Sequence, residues 1–159
     1  MRAALFILVS ILAPALRAQS LIISLNVSPS SVTFTAPDPS SSPAPASASI
    51  SWWISHGSTY RTWTLRVLAS PASVTNCPNV PLSAFTIRCA SLGNAASYGS
   101  CAGPVSLSGT GSILATGQQR KGTNLYSANI SVQFTDSWRY PGATSPACAL
   151  TLSYTVEAP

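Results

Sequence analysis

Residues 60–69 read Tyr-Arg-Thr-Trp-Thr-Leu-Arg-Val-Leu-Ala, and this stretch decides the fold class. Trp63, Leu65 and Val67 alternate with Thr64 and Arg66, which is the two-residue period of a strand with one buried face. One face carries indole, leucyl and valyl side chains, whereas the other carries a hydroxyl and a guanidinium. The pattern predicts a central core strand in a sheet that is packed on one side only.

The same alternation recurs along most of the chain. Further strands are predicted within residues 21–27, 32–34, 48–54, 85–89, 105–107, 112–115, 126–134 and 148–156. The first two are short and suit sheet edges, while residues 91–100 and 117–122 have the composition of a loop and a polar turn. Eight or nine short strands with little helix predict an all-β fold, an antiparallel Greek-key β-sandwich that is immunoglobulin-like in its layers. The strand order is left open.

Trp53 breaks the pattern of the strand predicted at residues 48–54. Trp52 falls on the apolar face of that strand, so Trp53 falls on the serine-rich face and should point toward solvent or toward a loop. Residues 37–46 are rich in Pro and Ser and form an exposed, semi-extended loop that could cover the indole. The alternative is that Trp53 is a binding aromatic.

The N-terminus has the pattern of an export signal. A positively charged start precedes an apolar run at residues 3–13, and Ala18 supplies the small residue that signal peptidase favours. We expect a signal peptide at residues 1–18, cleaved after Ala18 or alternatively after Ala15. The apolar run is shorter than the roughly 20 residues of a membrane-spanning helix. The mature chain, residues 19–159, is then one domain without a stable membrane anchor, secreted, on the cell surface or in the periplasm.

Charge argues against nucleic acid as a partner. The chain has 8 basic and 3 acidic residues, and Arg2 and Arg17 lie in the predicted leader. The remaining basic residues are scattered: Arg61, Arg66, Arg88, Arg120, Lys121 and Arg139. Phosphate binding requires a clustered footprint of basic side chains.

Only 7% of residues are charged and 46% are hydrophobic, a composition that is typical of extracellular β-proteins.

Four cysteines, Cys77, Cys89, Cys101 and Cys148, make an even count on a chain predicted to be exported, so two disulfides are expected. The pairs of ligands in structural zinc sites lie two to four residues apart, whereas eleven, eleven and 46 residues separate these cysteines. No metal site is predicted. Three connectivities are open, of which we favour Cys89 with Cys101, across the loop at residues 91–100, and Cys77 with Cys148.

Catalytic motifs are missing. His56 is the single histidine, and Asp38, Asp136 and Glu157 lie far from it in sequence. No serine lies in a nucleophile elbow and no glycine-rich phosphate loop follows a strand. Three acidic residues beside loops or the chain end do not suggest a glycosidase pair. We therefore predict no enzyme, no catalytic residue and no cofactor; a small hydrolase using His56 is the alternative from the enzyme class.

Two segments resemble a known family. Trp63-Thr64-Leu65 reproduces the signature of WxL domains, the secreted β-rich modules that attach to bacterial cell walls, and Tyr154-Thr155-Val156 resembles their second W-x-L segment with Tyr for Trp and Val for Leu. The resemblance implies a β fold, a position outside the cell and no catalysis. Size, leader, cysteines and the segment Ser-Pro-Ser-Ser-Val-Thr-Phe at residues 28–34 are similar to pilin-like and spore-coat-like subunits.

These observations predict a non-catalytic secreted or cell-surface module of bacterial type. Its partner would be a cell-wall polymer of the envelope or an extracellular protein. The alternative is a structural subunit that assembles by donating the strand at residues 21–27 to a neighbouring sheet. The ligand and the oligomeric state are not fixed by the sequence.

Overall fold

The structure is a computed structural model that describes residues 22–28, 31–34, 46–56, 62–94, 99–119, 122–134 and 148–158. The predicted leader, residues 1–18, lies outside these ranges, as does the Pro/Ser-rich loop of residues 37–46 except for its last residue, Ala46, which begins a strand. Within the same ranges, no helix has the length and apolar character required to cross a bilayer.

The described residues form ten strands and one 3₁₀ turn, compared with the eight or nine strands expected. The strands are β1 (Ile22–Ser28), β2 (Ser31–Phe34), β3 (Ala46–His56), β4 (Thr62–Ala69), β5 (Phe85–Gly93), β6 (Gly99–Cys101), β7 (Val105–Ser106), β8 (Ser112–Gln118), β9 (Gly122–Phe134) and β10 (Cys148–Glu157). The 3₁₀ turn, Leu82–Ala84, immediately precedes β5. The all-β prediction is therefore confirmed.

The strands form two packed five-stranded sheets, and consecutive strands always lie in different sheets. One sheet has the order β1-β3-β9-β5-β7 and the other β2-β10-β4-β8-β6. We call them the odd sheet and the even sheet. All of their pairings are antiparallel. No two strands that follow each other among the described elements form a hairpin within one sheet.

The predicted positions of the central and edge strands are confirmed. β4 is the middle strand of the even sheet, between β10 and β8, and its residues alternate between the core and the outer face. β1 and β2 lie at the edges of the odd and even sheets, respectively. β9 is the middle strand of the odd sheet and pairs with β3 along eleven residue positions.

Three aromatic side chains join the sheets in the core. Trp52 and Tyr126 come from the odd sheet and Trp63 comes from the even sheet, and all three are almost fully buried. The ring centroids of Trp52 and Trp63 lie 5.2 Å apart at 70°, while those of Trp52 and Tyr126 lie 5.8 Å apart and nearly parallel. Edge-to-face and offset stacked pairs at this spacing stabilise a core by about 0.5–1.5 kcal/mol beyond area burial. The cluster therefore fixes how the two layers pack.

Two boundaries predicted from composition are wrong. Residues 91–100 were expected to form a loop, but β5 continues to Gly93 and β6 begins at Gly99. Residues 117–122 were expected to form one polar turn, but Gly117 and Gln118 lie within β8 and Gly122 begins β9. In both places the backbone pairs with a neighbouring strand, and a ladder of backbone hydrogen bonds does not require apolar side chains.

Both favoured disulfides are present. Cys77 pairs with Cys148 and Cys89 pairs with Cys101, with Cα–Cα distances of 5.5 and 5.3 Å. Cys89 lies in the odd sheet and Cys101 in the even sheet, so this bridge connects the two layers. Disulfides persist in oxidising compartments, which agrees with a location outside the cytosol.

Candidate functional site

The outer face of the odd sheet carries a regular grid of small polar side chains. Antiparallel register places outward-facing residues of neighbouring strands opposite each other, so the grid consists of rows that cross the strands. Neighbouring strands are about 4.8 Å apart and successive rows about 6.6 Å apart. Three adjacent rows form the candidate site.

The middle row forms the floor of a groove that crosses the strands. Asn26 pairs with Ser51, Ser51 with Ser127, and Ser127 with Gly93. Ser51, Ser127 and Gly93 are half-buried, whereas Ser49, Asn129 and Ser91 in one flanking row and Trp53 in the other are exposed. Ser51 and Ser127 lie between the larger Asn129 on one side and Trp53 and Leu125 on the other, and the depression at these serines is called the transverse groove.

The transverse groove has a volume of about 290 Å³, close to the lower end of ligand sites, roughly 300–1,000 Å³. Its lining residues are Asn26, Ser49, Ile50, Ser51, Ser127, Ala128 and Asn129. Ile50 and Ala128 have their side chains in the core, so they contribute main-chain atoms to the lining. The groove is thus a surface of hydroxyl, amide and peptide groups.

One side of the groove is a hydrogen-bonded row. Ser49 Oγ donates to Asn129 Oδ1 over 3.1 Å, and Asn129 Nδ2 donates to Ser91 Oγ over 3.0 Å. Because both ends of the Asn129 amide are engaged, its orientation is fixed. By contrast, within the described ranges no side-chain hydrogen bond engages Asn26, Ser51 or Ser127, the polar residues of the floor.

The other side of the groove is apolar. Trp53 and Leu125 occupy opposite positions on β3 and β9, one row beyond Ser51 and Ser127. Trp53 is 47% exposed, and Leu125 is half-buried beside it. The prediction that Trp53 points away from the core is confirmed. Whether residues 37–46 cover it lies outside the described residues.

The site is nearly free of charge. Among the described residues that face outward from the odd sheet, Arg88 is the one charged side chain, opposite Ser131 and two rows from the floor, about 13 Å along the strands. The described acidic residue, Glu157, lies on the even sheet, where Glu157 Oε2 accepts from Arg66 Nε over 3.1 Å. The transverse groove therefore offers neutral donors and acceptors.

The two WxL-like segments are brought together, but in the core. Leu65 on β4 lies opposite Val156 on β10, and Val67 opposite Tyr154. Trp63 is fully buried and Tyr154 is 7% exposed. Burial without a hydrogen-bond partner for its hydroxyl raises the pKa of Tyr154 to about 12. These aromatics pack the sandwich and do not face a ligand.

The residues considered for catalysis are not assembled. His56 ends β3 opposite Gly122, while Asp38 and Asp136 lie outside the described residues. Glu157 is engaged with Arg66 on the other sheet. In the described part of the chain, no three His, Cys, Asp or Glu residues come together as a metal site. The four cysteines are all consumed by the two disulfides.

The transverse groove was missed by sequence reasoning, although Trp53 beside it was found. The alternation of serines with apolar residues in β3 and β9 showed two polar faces, but the groove depends on which serine of one strand opposes which serine of the next strand.

No protein-family model matches the chain, and neither a curated protein nor a solved structure shows significant similarity to it.

Proposed function

We propose that the protein is a non-catalytic binding module of the bacterial cell exterior and that it binds a cell-envelope polymer through the outer face of its odd sheet. The observation that carries this proposal is the half-exposed indole of Trp53 beside an uncharged groove of hydroxyl and amide groups. An exposed aromatic offers an apolar contact surface with a polar edge, and the groove supplies hydrogen bonds that orient a ligand.

The proposal includes export by the N-terminal leader and a WxL-like module in an immunoglobulin-like Greek-key sandwich. It is supported by the two disulfides, which favour an oxidising compartment, by antiparallel pairing in both sheets and by connections that cross between the sheets. An extracellular protein is the alternative partner for the same face.

Cosedimentation with insoluble peptidoglycan tests the proposed function. The oxidised protein is incubated with purified wall material at low and moderate salt, and the bound fraction is measured. Binding should persist at moderate salt because the site is neutral, and Trp53→Ala should reduce it. Ile113→Ala is the matched control, since Ile113 is 38% exposed but lies on the even sheet. Protein that stays in the supernatant under both conditions would eliminate wall binding and leave a protein partner.

A structural subunit that assembles by strand donation is the second candidate function. β1 pairs with β3 along its whole length but lies at the sheet edge, and Leu25 is 37% exposed although it shares the inward face of Trp52. An edge strand with an incompletely covered apolar face is suited to exchange between copies. A monodisperse monomer at high concentration, with the β1 amides protected from hydrogen exchange, would eliminate this candidate.

A further inference from the structure

We infer that the transverse groove binds a neutral glycan chain that lies across the strands, with its sugar rings along the row of Asn26, Ser51, Ser127 and Gly93. This inference deepens the proposed function, on which it rests, by naming the ligand class and the residues that read it. It follows from the direction of the groove, the chemistry of its floor and its lack of charge.

The direction of the groove fits an extended ligand. The residues that line the groove lie on three adjacent strands, β1, β3 and β9, and the floor row continues to Gly93 on β5, so that the row spans three strand spacings, about 14 Å. Such a length accommodates a short run of linked pyranose rings. The backbone groups of β3 and β9 are paired on both sides at this row, so a peptide could not dock over these two strands by adding a strand.

The floor presents groups that match sugar hydroxyls. Ser51 and Ser127 hydroxyls each donate and accept, and the Asn26 amide does both through separate atoms. A sugar hydroxyl also donates and accepts, so each floor side chain can pair with it in either sense. The fixed amide of Asn129 forms a rigid side of the groove, whereas the described structure leaves the floor groups without side-chain partners.

The apolar side of the groove fits the carbon face of a sugar ring. Trp53 and Leu125 lie one row from the floor, about 6.6 Å along the strands. A pyranose ring lying on Ser51 can place its C–H groups against the indole while its hydroxyl groups point to the floor. A phosphate-rich or carboxylate-rich polymer would instead need cations, and Arg88 is two rows away.

Gly93 continues the floor row beyond Ser127 without adding a side chain. A Cβ at this position would overlap Ser127 Oγ, so any side chain there would displace the hydroxyl and fill the floor. The opposite end of the row, at Asn26, lies on the edge strand β1, and no described strand continues the row beyond it. As far as the described residues show, a ligand chain can extend beyond the row at both ends, which suits a polymer as well as a short oligosaccharide.

Titration with neutral oligosaccharides tests the inference. Chitotetraose and cellotetraose are added to the ¹⁵N-labelled, oxidised protein, and amide shifts give both the affinity and the contacted residues. We expect shifts on the groove strands β1, β3, β9 and β5. Ser51→Val should weaken binding about 2- to 12-fold, which corresponds to one neutral hydrogen bond, and Gly93→Val should weaken it at least as much.

Matched controls lie on other surfaces. Ser153→Val changes a half-buried serine on the outer face of the even sheet, and Gly103→Val changes a glycine around which a Cβ has open space. Both controls should leave the affinity within about twofold of the starting value. Thermal melting of each variant separates loss of binding from loss of folding, and Ser51→Val provides a second groove variant if Gly93→Val does not fold.

The outcomes separate this inference from the proposed function. In one outcome neither oligosaccharide binds, the protein still sediments with wall material, and added polyglycerol phosphate releases the protein from that material. This outcome overturns the glycan inference, and wall binding stands. If an oligosaccharide binds through the groove but wall material does not retain the protein, the inference stands and wall binding falls. Oligosaccharide binding that Ser51→Val and Gly93→Val leave unchanged would overturn the assignment to the groove.

Discussion

Removing the Cys77–Cys148 disulfide should destabilise the protein more than removing Cys89–Cys101. The bridged residues are separated by 71 positions in the first pair and by 12 in the second. In the chain-entropy treatment, the longer loop contributes about 4.4 kcal/mol and the shorter about 2.8 kcal/mol to the free energy of unfolding. The expected difference between the two losses is therefore about 1.6 kcal/mol.

The native packing supports a comparison based on loop length. Cys77, Cys89 and Cys148 are buried to a similar degree and Cys101 is half-buried, so replacement by alanine removes comparable contacts at three of the four positions. The segments joined by the longer bridge are also held by backbone hydrogen bonds, Thr75 N to Ala149 O at 2.9 Å and Ala149 N to Thr75 O at 3.1 Å. The folded arrangement should survive loss of the bridge, and the main change is in the unfolded chain.

Differential scanning calorimetry of two double variants measures the difference. Cys77→Ala with Cys148→Ala is compared with Cys89→Ala with Cys101→Ala, and the first should melt about 5 °C lower than the second for a domain of this size. Peptide mapping of the non-reduced parent protein verifies the pairing. Equal melting temperatures, or the opposite order, would refute the loop-length reasoning, and recovery of a peptide that joins Cys77 to Cys89 would refute the connectivity.

Three further predictions concern single residues. Trp63→Ala should lower the free energy of unfolding by about 3–5 kcal/mol because it empties the core, while Trp53→Ala should lower it by under about 1 kcal/mol, as measured by urea unfolding. Burial raises the pKa of Tyr154 to about 12, so above pH 10 the hydroxyl ionises in the unfolded chain but not in the folded one. The free energy of unfolding should therefore be unaffected by this residue below pH 10 and fall by about 2–3 kcal/mol between pH 10 and 12. Tyr154→Phe should abolish this loss in alkaline unfolding curves. Arg66→Gln should cost under about 1 kcal/mol in thermal melts, because its ion pair with Glu157 is solvent-exposed; a larger loss would show that the pair has a structural role.

Residue alternation predicted the faces of strands well because it depends on local geometry. Trp63, Leu65 and Val67 are buried as their period required, and Trp53 is exposed between Trp52 and Ile54. Alternation does not specify the partner of a strand, however. The strict exchange between the odd and even sheets therefore could not be predicted, because the side-chain period of a strand is the same in either sheet.

The candidate site was predicted only in part, for the same reason. Trp53 is recognisable because a large aromatic on a serine-rich face is unusual. The transverse groove arises from Ser51 opposing Ser127 and from Gly93 opposing Ser127, and these are contacts between distant parts of the chain. Gly93 was assigned to a loop from its Ser/Gly/Ala-rich surroundings. In the structure it is a strand residue whose missing side chain leaves room for the hydroxyl of Ser127.

The exchange of consecutive strands between the sheets has a consequence for the order of folding. β3 and β5 are neighbours in sequence within the odd sheet, yet they meet only through β9, and β2 joins β4 only through β10. Neither sheet is complete until β9 and β10 have been made, and the ladders that these two strands form with β3 and β4 join residues far apart in the sequence. Topologies dominated by such non-local pairing fold slowly. Until β9 and β10 have been made, each sheet is divided into separate pieces, so the complete two-layer core forms only after the last strands are available.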